Sequence, residues 1–561
     1  MQSNQSRCCL RSKGATLVLV WYFFAVISIQ PFFNPIFSTY IHTAIDPVVS
    51  GTIYGATAFL LLFYPLAGCL ADIRWGRRKA VVNSLCFMFW SLIVVSILCC
   101  LAFISFIPVV VSKSVWTSMN TASAISLSVI FGPAIVFGIT LFLCSYIVFS
   151  ANIIQFGMDQ LTDSPSDDSA TFIHWYVLIT CLGLVLSRFL NVWVVNIAVI
   201  PLALLGLGIT LFIGHMHKEH WFLVEPASRN PYKLVYRVIK FAIKHKNPIW
   251  RSAFTYCEDE LPSRIDLGKR KYGGPFTSEQ VEDVKAFLGI LSILFTLGPV
   301  FAVEVAAGDV VSKIAGHMDG TRKFTLHNGT IKSFFSSTGI ITTLSAIIFI
   351  LLYVSLPRHY IRKYIPGMLK RMGLGMFFRM LSALTTLAMD TVGHVKNVNV
   401  TSCFLASGYH SHNNYSSGHD MSSSVSMNIN SSFLVIQNIL NSISYVLVYN
   451  AAFEFICAQS PHAMKGLLIG IFFAIDGVFQ LLEVLLLLIP FNWWRLSSNF
   501  PSCGFVYYLI NVVIVLAGFV AYTQAARRYQ YRQRDEPDNI YRYAEDYYEK
   551  IQDESEEYTC N

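Results

Sequence analysis

The feature that most constrains this chain is a succession of long apolar runs. About twelve such runs lie between Ala15 and Gln524, and about 20 apolar residues are enough for a helix to cross the hydrocarbon core of a bilayer. Helices are expected because a chain in lipid must satisfy its backbone hydrogen bonds internally. The sequence therefore predicts an all-α membrane protein with about twelve transmembrane helices.

Composition supports this class and argues against others. Only 13% of the 561 residues are charged and the mean hydropathy is +0.53, whereas soluble domains carry about 25% charged residues. The net charge of +8 does not require a nucleic acid, because the cations fall between the apolar runs. The 13 cysteines follow no metal-ligand spacing. No nucleophile–base pair or phosphate-binding glycine loop occurs, so we expect no metal, no cofactor and no enzymatic activity.

A polar insert after the sixth run divides the chain into two six-helix halves, as expected for the homologous halves of a transporter. The predicted segments are a cytoplasmic N-terminus (1–14), an N-terminal six-helix bundle (15–214), a cytoplasmic basic linker (215–283), a C-terminal six-helix bundle (284–524) with a glycosylatable outer loop (393–432), and a disordered cytoplasmic tail (525–561).

Within the linker, cations recur at helical spacing with apolar residues between them, at Lys233, Arg237, Lys240 and Lys244. This pattern suits a helix that lies along the inner membrane surface and meets anionic lipid, which makes the bilayer a partner of the linker. A solvated linker helix fits the same pattern.

The distribution of positive charge predicts that both termini are cytoplasmic. In that orientation the inner segments hold 33 of the 41 Lys and Arg residues and the outer loops hold seven, in agreement with the positive-inside rule. Four N-glycosylation sequons fall in loops that this topology places outside. They begin at Asn328, Asn399, Asn414 and Asn430. Cys403 and Cys503 are also outside, and the sequence leaves open whether they form a disulfide.

Acidic residues dominate one inner loop, between the fourth and fifth runs. Asp159, Asp163, Asp167 and Asp168 stand there without any Lys or Arg. These carboxylates either meet cationic loops at a cytoplasmic gate or are solvated. Solvation is the interpretation that we favour from the sequence.

A short charged loop joins the second and third runs. Gly68 permits a close helix approach, Asp72 ends one helix, Gly76 makes the turn, and Arg77 and Arg78 start the next helix. We expect Asp72 to pair with these arginines, or to bind a helix end. Such contacts would hold a cytoplasmic gate in one of two states.

Ionisable groups inside the runs are functional candidates, because each costs about 2.5–3.5 kcal/mol at the bilayer centre unless it faces a cavity or a partner. Glu454 is the clearest, and Asn450 lies one turn earlier on the same helix face. A carboxylate there binds a solute ammonium group or carries a proton, whereas a structural carboxyl would bond to a neighbouring helix. We predict that Glu454 and Asn450 bind substrate. Weaker candidates are Asp476, Glu483, Arg188 and His174.

Several motifs resemble the proton-dependent oligopeptide transporter (peptide/nitrate) family of the major facilitator superfamily. Gly-x-x-x-Asp-x-x-x-Gly-Arg-Arg, around Asp72, resembles its helix 2–3 loop, and Glu-Phe-x-x-x-Gln-Ser-Pro-x-x-Met-Lys, from Glu454, resembles its helix 10–11 junction. Segments 156–160, 172–176 and 273–285 resemble further elements of the family. The resemblance implies the major facilitator fold. It also implies that the acidic residue at position 454 helps to bind the amino terminus of a peptide.

The chain departs from that family where protons are handled. Proton-coupled members carry Glu-x-x-Glu-Arg in helix 1, and the matching positions here are Phe23, Val26 and Ile27. The helix 4 lysine matches Ser150, and the helix 5 asparagine matches Cys181. The resemblance therefore implies transport but puts proton coupling in doubt, and protons stay an open partner.

Together these features predict a secondary active or facilitative transporter of small solutes, with short peptides or peptide-like molecules first, that works by alternating access. The alternative is a transport-deficient relative that acts as a membrane receptor or scaffold. The sequence leaves open the solute and the oligomeric state. It also leaves open whether the host membrane is the plasma membrane or an endolysosomal membrane.

Overall fold

The computed structural model describes the helical core and parts of the linker. The described residues are 12–42, 59–111, 119–161, 166–193, 196–216, 231–245, 263–319, 338–355, 366–396, 427–430, 432–461, 464–488 and 505–531. They are almost entirely helical, as the apolar runs predict. A helix forms its backbone hydrogen bonds within its own segment, which a chain in lipid requires.

The N-terminal half holds a first set of helices. They are α1 (Lys13–His42), α2 (Tyr64–Leu70), α3 (Arg77–Val111), α4 (Met119–Asp159), α5 (Ser166–Trp193) and α6 (Asn196–Met216). A π-helical segment, Ala71–Trp75, extends α2. Gly76 then ends it with a φ of 72°, a backbone conformation that glycine adopts without a Cβ clash. This turn allows α3 to start beside the end of α2.

The linker contributes α7 (Pro231–Lys244) and two short 3-10 turns, Asp266–Gly268 and Arg270–Tyr272. The predicted amphipathic helix is therefore present. It buries Val238 and Ala242. The opposite face exposes cations, namely Lys233, Arg237, Lys240 and Lys244. Contact of this face with lipid stays a prediction.

A small ion-pair network attaches the linker to the start of the C-terminal half. Asp266 lies 2.8 Å from the Lys269 Nζ, pairs with Lys285, and accepts a 2.6 Å hydrogen bond from the Ser263 hydroxyl. Burial alone would raise the pKa of Asp266, but the hydrogen bonds from Lys269, Lys285 and Ser263 lower it to about 2. The carboxylate therefore stays ionised and holds the linker on α8.

The C-terminal half holds the second set of helices. They are α8 (Ser278–His317), α9 (Thr338–Ser355), α10 (Met368–Lys396), α11 (Ser432–Gln459), α12 (Lys465–Glu483) and α13 (Phe505–Arg528), and a π-helical segment, Val484–Leu488, follows α12. Two short parallel strands, β1 (Met318–Asp319) and β2 (Met427–Asn430), pair Met318 with Met427 and Asp319 with Asn430.

Among the described residues, eight helical stretches are long and apolar enough to cross a membrane, and three shorter apolar helices lie within α1, α6 and α9. Every predicted run overlaps a described helix. The chain is thus a helical multi-pass membrane protein. The number of crossings, twelve, and the cytoplasmic position of both termini stay predictions.

The two halves meet through a few helices. Within the halves, α1 packs on α5 and α6, α3 on α4, α10 on α11, and α8 on α12. Between the halves, α2 packs against α12, and α5 packs against α9 and α11. We call one end of the bundle the basic end. It holds the 71–76 loop, the end of α4, and the starts of α5, α10 and α12.

At the basic end, α2 and α12 approach each other backbone to backbone. A Cβ on Gly68 would lie 2.3 Å from the carbonyl oxygen of Gly466, and a Cβ on Gly470 would lie 2.6 Å from that of Tyr64. No side chain fits at these distances, so glycine is required on both helices for this approach. The close approach predicted for Gly68 is confirmed, and it joins the two halves.

Residues from Arg528 onward form a second unit, of which 528–531 are described. The rest of the predicted disordered tail lies outside the described residues.

Candidate functional site

Two clusters of buried charged side chains lie at the basic end. The first, here called the gate cluster, consists of Asp72, Arg77 and Asp159. Arg77 Nε donates to Asp72 Oδ1 at 3.2 Å, and its Nη1 donates to both carboxylate oxygens of Asp159 at 2.8 Å. All three residues are at most 9% exposed. One guanidinium therefore ties the α2–α3 loop to the end of α4, with both carboxylates held by charge-assisted bonds.

The gate cluster reaches across to the other half through Asp72. The backbone N–H of Leu467, in the first turn of α12, donates to Asp72 Oδ2 at 3.2 Å. A Cβ on Gly466 would lie 2.8 Å from both oxygens of this carboxylate. The N-terminus of a helix carries partial positive charge, which stabilises an anion placed there. The second negative charge of the cluster is thus compensated by α12.

These contacts bear on the residues predicted for the gate. Asp72 pairs with an arginine and binds a helix end at once, and the arginine that it meets is Arg77. Gly76 makes the turn, and Arg78 follows on α3 as a half-buried side chain. The control of a gate by these residues stays a prediction.

The favoured interpretation of the acidic loop was wrong for Asp159. Its carboxylate is buried, and besides Arg77 it accepts a 3.1 Å hydrogen bond from Gln155 Nε2. Sequence spacing could not reveal this, because the two partners lie 82 positions apart. Asp168 is half-buried, and Asp163 lies outside the described residues.

The second cluster, here called the Glu454 cluster, consists of Glu454, Arg371 and His174. Arg371 Nη1 donates to Glu454 Oε1 at 3.3 Å, and Nη2 bonds to Oε2. His174 Nε2 lies 3.7 Å from Glu454 Oε1. Glu454 is 9% exposed and His174 is 3% exposed. Because α5 belongs to one half and α10 and α11 to the other, this cluster also lies on the boundary between the halves.

Sequence reasoning found Glu454, rated His174 as a weak candidate and missed Arg371. His174 is a weak candidate from the sequence because a single histidine is usually structural, and Arg371 sits in a Lys-Arg pair near the start of a helix. Neither has a local signal that points to Glu454. Arg371 is 83 positions away from Glu454, so only the fold brings them together.

Asn450 is 4% exposed on α11, and its Oδ1 has no hydrogen-bond partner among the described residues. The weaker acidic candidates are engaged within the C-terminal half. Asp476 accepts a 2.7 Å bond from Gln480 Nε2, and Glu483 accepts a 2.7 Å bond from the Tyr507 hydroxyl. Asn450 therefore keeps an acceptor for a ligand. Asp476 and the Oε1 of Glu483 are engaged by neighbouring side chains, whereas Glu483 Oε2 is buried without a hydrogen-bond partner among the described residues.

Aromatic rings connect the two halves near the Glu454 cluster. Tyr22 of α1 stacks on Tyr176 of α5 at 4.4 Å between ring centroids, and Tyr176 meets Phe453 of α11 edge to face at 6.0 Å. Tyr64 of α2 packs on Phe473 of α12 at 4.8 Å. Aromatic pairs of this kind stabilise contacts while presenting flat apolar surface. Glu454 is thus the residue next in sequence to Phe453, one of the rings that connect the halves.

The residues that we matched to the family's proton-handling positions make local packing contacts and hydrogen bonds. Val26 lies against Gly183, where a Cβ would approach the Val26 Cγ1 to 2.2 Å. Ser150 donates a 2.8 Å hydrogen bond to the Tyr64 hydroxyl, and Cys181 is buried. Val26 and Ser150 thus contact neighbouring helices of the N-terminal half, and the departure from the family at these positions stays a prediction.

Three predicted glycosylation sites, Asn328, Asn399 and Asn414, lie outside the described residues, as do Cys403 and Cys503. Asn430 is the last residue of β2. Glycosylation and the disulfide stay predictions. Within the described residues there is no group of His, Cys, Asp and Glu that could hold a metal ion.

The two packed helical halves, joined at one end by buried charge clusters and close glycine contacts, define the class: a multi-pass membrane transporter with the major facilitator fold. A profile of the POT family matches residues 88–492. The chain therefore belongs to the POT family of transporters, and the predicted family is confirmed.

Among curated proteins, the chain is 23% identical to solute carrier family 15 member 3 of Rattus norvegicus over 422 residues, which cover 69% of this chain and 68% of the relative. It is 24% identical to the Mus musculus protein of the same name over 414 residues, covering 68% and 67%. Both alignments cover most of each protein, so the similarity is not confined to a single motif.

Solved structures agree on the fold. An auto-inhibited POT family peptide transporter matches 94% of this chain and 99% of its own, with a TM-score of 0.61 and 14% identity. The POT family transporter PepTSo matches 93% and 99%, with a TM-score of 0.61 and 12% identity. At such low identity these matches establish the architecture alone.

Proposed function

We propose that this protein carries short peptides or peptide-like solutes across a membrane by alternating access, with Glu454 as the principal contact for the solute's ammonium group. The observation that carries the proposal is a buried carboxylate on α11 that lies at the boundary between the halves and is already engaged by a cation, Arg371. A carboxylate that holds a guanidinium there is suited to hold an ammonium group instead.

The surroundings of Glu454 support a peptide-like solute. The neighbouring rings of Tyr176 and Phe453 offer apolar surface for side chains, and Asn450 offers a buried acceptor for an N–H group of a peptide bond. Binding sites for small molecules commonly combine apolar walls with a few placed polar groups. The solved relatives described as peptide transporters share this architecture.

The contacts at the basic end support a gate. The positive-inside rule makes this end cytoplasmic. The gate cluster, the Glu454 cluster and the contact between Gly68 and Gly466 join the two halves here. Opening toward the cytoplasm therefore requires that all three separate, and alternating access in such folds is a rocking of one half against the other.

In this mechanism Arg371 acts as the resting counter-ion of Glu454. A solute ammonium group that enters the site competes with the guanidinium for the same two oxygens, and the exchange avoids leaving a buried carboxylate unpaired, which is costly. The sequence has no acidic residue in 15–40. Any coupling to protons must therefore use groups other than a helix 1 acid.

The test is uptake of a labelled dipeptide into proteoliposomes that contain the purified protein. Glu454→Gln removes the charge and keeps the shape, and we expect it to lower uptake at least tenfold, in line with the loss of a charge-assisted bond of about 1.5–3 kcal/mol. Glu279→Gln, at an exposed position at the start of α8, is the matched control and should leave uptake unchanged.

Two outcomes would contradict the proposal. Equal uptake by Glu454→Gln and the unmodified protein would remove Glu454 from solute binding. Binding of the dipeptide by the purified protein without any flux would favour a receptor or scaffold in place of a carrier.

A further inference from the structure

His174 faces the Glu454 carboxylate across the boundary between the two halves. The imidazole is 3% exposed, and its Nε2 lies 3.7 Å from Glu454 Oε1. The contact joins α5 of the N-terminal half to α11 of the C-terminal half. Its strength therefore bears directly on how firmly the halves are held together at the basic end.

The hydrogen bond made by the other ring nitrogen, Nδ1, determines which tautomer the neutral His174 ring adopts. His174 Nδ1 hydrogen-bonds to the backbone carbonyl oxygen of Ala170, one turn earlier on α5. A carbonyl oxygen can only accept, so Nδ1 must carry a proton. A neutral imidazole has a single N–H, and Nε2 is then bare. Nε2 carries a proton only when the ring is an imidazolium.

The contact with Glu454 consequently has two strengths. With Nε2 bare, a lone pair faces the carboxylate and no hydrogen bond forms. With Nε2 protonated, the same atoms form a charge-assisted hydrogen bond in a site that excludes most water, where such bonds are strong. Arg371 contacts Glu454 from its own half, so the proton on His174 decides the strength of the bond between the halves.

The other charged groups around α5 are few in the described part of the chain. Glu454 on α11 faces the imidazole, and Arg371 on α10 contacts the same carboxylate. On α5 itself the half-buried Asp168 lies six positions before His174, and α4 ends at Asp159 of the gate cluster. The described side chains of α1, α6 and α9, which also pack near α5, carry no charge apart from Lys13.

We infer that His174 Nε2 is a proton-binding site that locks the basic end when it is occupied. The proton comes from water and returns to water, so no other reactant is needed. The inference rests on the proposed function, because it gives a carrier without a helix 1 acid a group that can couple its gate to protons.

Thermodynamic linkage gives the direction in which pH shifts the closed and open states. The closed basic end presents the Glu454 carboxylate to Nε2, and an open basic end does not. The closed state therefore binds the proton more tightly, and acid shifts the population toward that state. A rise in pH removes the proton and loosens the end that faces the cytoplasm.

Cys457 provides a native reporter of this closure, because it is a free thiol on α11, 6% exposed. The experiment measures its alkylation by a small maleimide in the purified full-length protein at pH 6.0 and pH 8.0, with peptide mass spectrometry to resolve the site. Each rate is divided by the rate of the His174→Phe variant at the same pH, which cancels the change in thiolate fraction.

We expect this ratio to be near one at pH 8.0 and about tenfold lower at pH 6.0, the size of one charge-assisted hydrogen bond. His174→Gln carries an amide N–H that does not titrate, so its ratio should be the same at both pH values. It also replaces His174→Phe as the reference if the latter fails to fold. His245→Gln is the matched control, because His245 also bonds through Nδ1 to the carbonyl four residues earlier, and it should keep the pH effect.

An unchanged ratio for the unmodified protein between the two pH values would overturn the inference, and so would loss of the effect in His245→Gln. Dipeptide uptake is measured in parallel. If closure depends on pH through His174 but no peptide is carried, the proton site stands and the proposed function fails. If peptide is carried without pH-dependent closure, the proposed function stands and the proton site fails.

Discussion

The gate cluster and the Glu454 cluster lie at the same end of the molecule and are built from the same kinds of side chain, but they balance their charge differently. In the gate cluster one arginine serves two carboxylates, and the excess negative charge faces the N-terminus of α12. In the Glu454 cluster one arginine donates to one carboxylate, and the His174 imidazole lies 3.7 Å from the same carboxylate.

This difference separates a fixed contact from an adjustable one. The gate cluster contains no histidine, and its contact with the C-terminal half is made by the backbone N–H of Leu467, which does not titrate. The Glu454 cluster contains His174, whose ordinary pKa lies near 6.5, and a carboxylate suited to an incoming cation. We therefore expect the gate cluster to control the stability of the folded protein. We expect the Glu454 cluster to control how solute binding and proton binding affect the opening of the gate.

The largest effect should follow from Arg77→Ala. It leaves Asp72 and Asp159 buried without their common cation, and breaking a buried ion pair in this way costs about 3–5 kcal/mol. Thermal unfolding of the purified protein in detergent should report the loss. Lys79→Ala, at an exposed position two residues further on α3, should change stability by less than about 0.5 kcal/mol. Equal behaviour of the two variants would abolish the distinction between the clusters.

A smaller effect is expected from Gly68→Ala. Its Cβ would overlap the Gly466 carbonyl oxygen at 2.3 Å, and backbone cannot give way as a side chain does. Overpacking of this kind costs about 1–3 kcal/mol, and here it opposes closure of the basic end. Peptide uptake should fall, and Cys457 should be alkylated faster. Gly208→Ala, where the nearest atom is Phe89 Cε2 at 3.9 Å, is the control and should be neutral.

Arg371→Ala should lower the stability of the folded protein by an amount that depends on pH, in contrast to Arg77→Ala. Without Arg371, Glu454 can still pair with protonated His174, so the native state holds that proton more tightly than the unfolded chain. Stability is then present at low pH and is lost as pH rises, by about 1 kcal/mol between pH 6 and pH 8. Lys370→Ala, at the exposed neighbouring position, should show no such trend. A flat pH profile for Arg371→Ala would mean that His174 does not compensate.

The smallest effect is expected in the linker network around Asp266, which serves as a reference outside the membrane. Glu282 is 46% exposed at its side chain, so Glu282→Gln should cost less than about 1 kcal/mol and the cost should vanish at high salt. The pKa of Asp266 is lowered to about 2. Its stabilising contribution is thus complete above pH 4 and is lost as pH falls toward 2. Protection of residues 263–285 against hydrogen exchange measures both effects. Protection that does not change between pH 4 and pH 2 would contradict the contribution assigned to Asp266.

Much of the gate cluster could be predicted because its signal is local. Asp72, Gly76 and Arg77 lie within six residues, and a reversal between two helices forces nearby side chains together. The same reasoning failed for Asp159, because nothing in an acidic loop reveals whether a distant arginine is in reach. It failed likewise for Arg371 and His174, whose only link to Glu454 is the packing of three helices from different parts of the chain.

The sequence by itself determined the class of this protein. Apolar runs of membrane-spanning length, the polar insert between two halves and the motifs around Asp72 and Glu454 were sufficient for an all-α transporter of the POT family. These are local properties, set by the cost of a polar group or an open backbone bond in lipid. Which charges meet was decided by tertiary structure alone. Burial makes each carboxylate require a partner, but only the packing of α5, α10 and α11 selects Arg371 and His174 for Glu454.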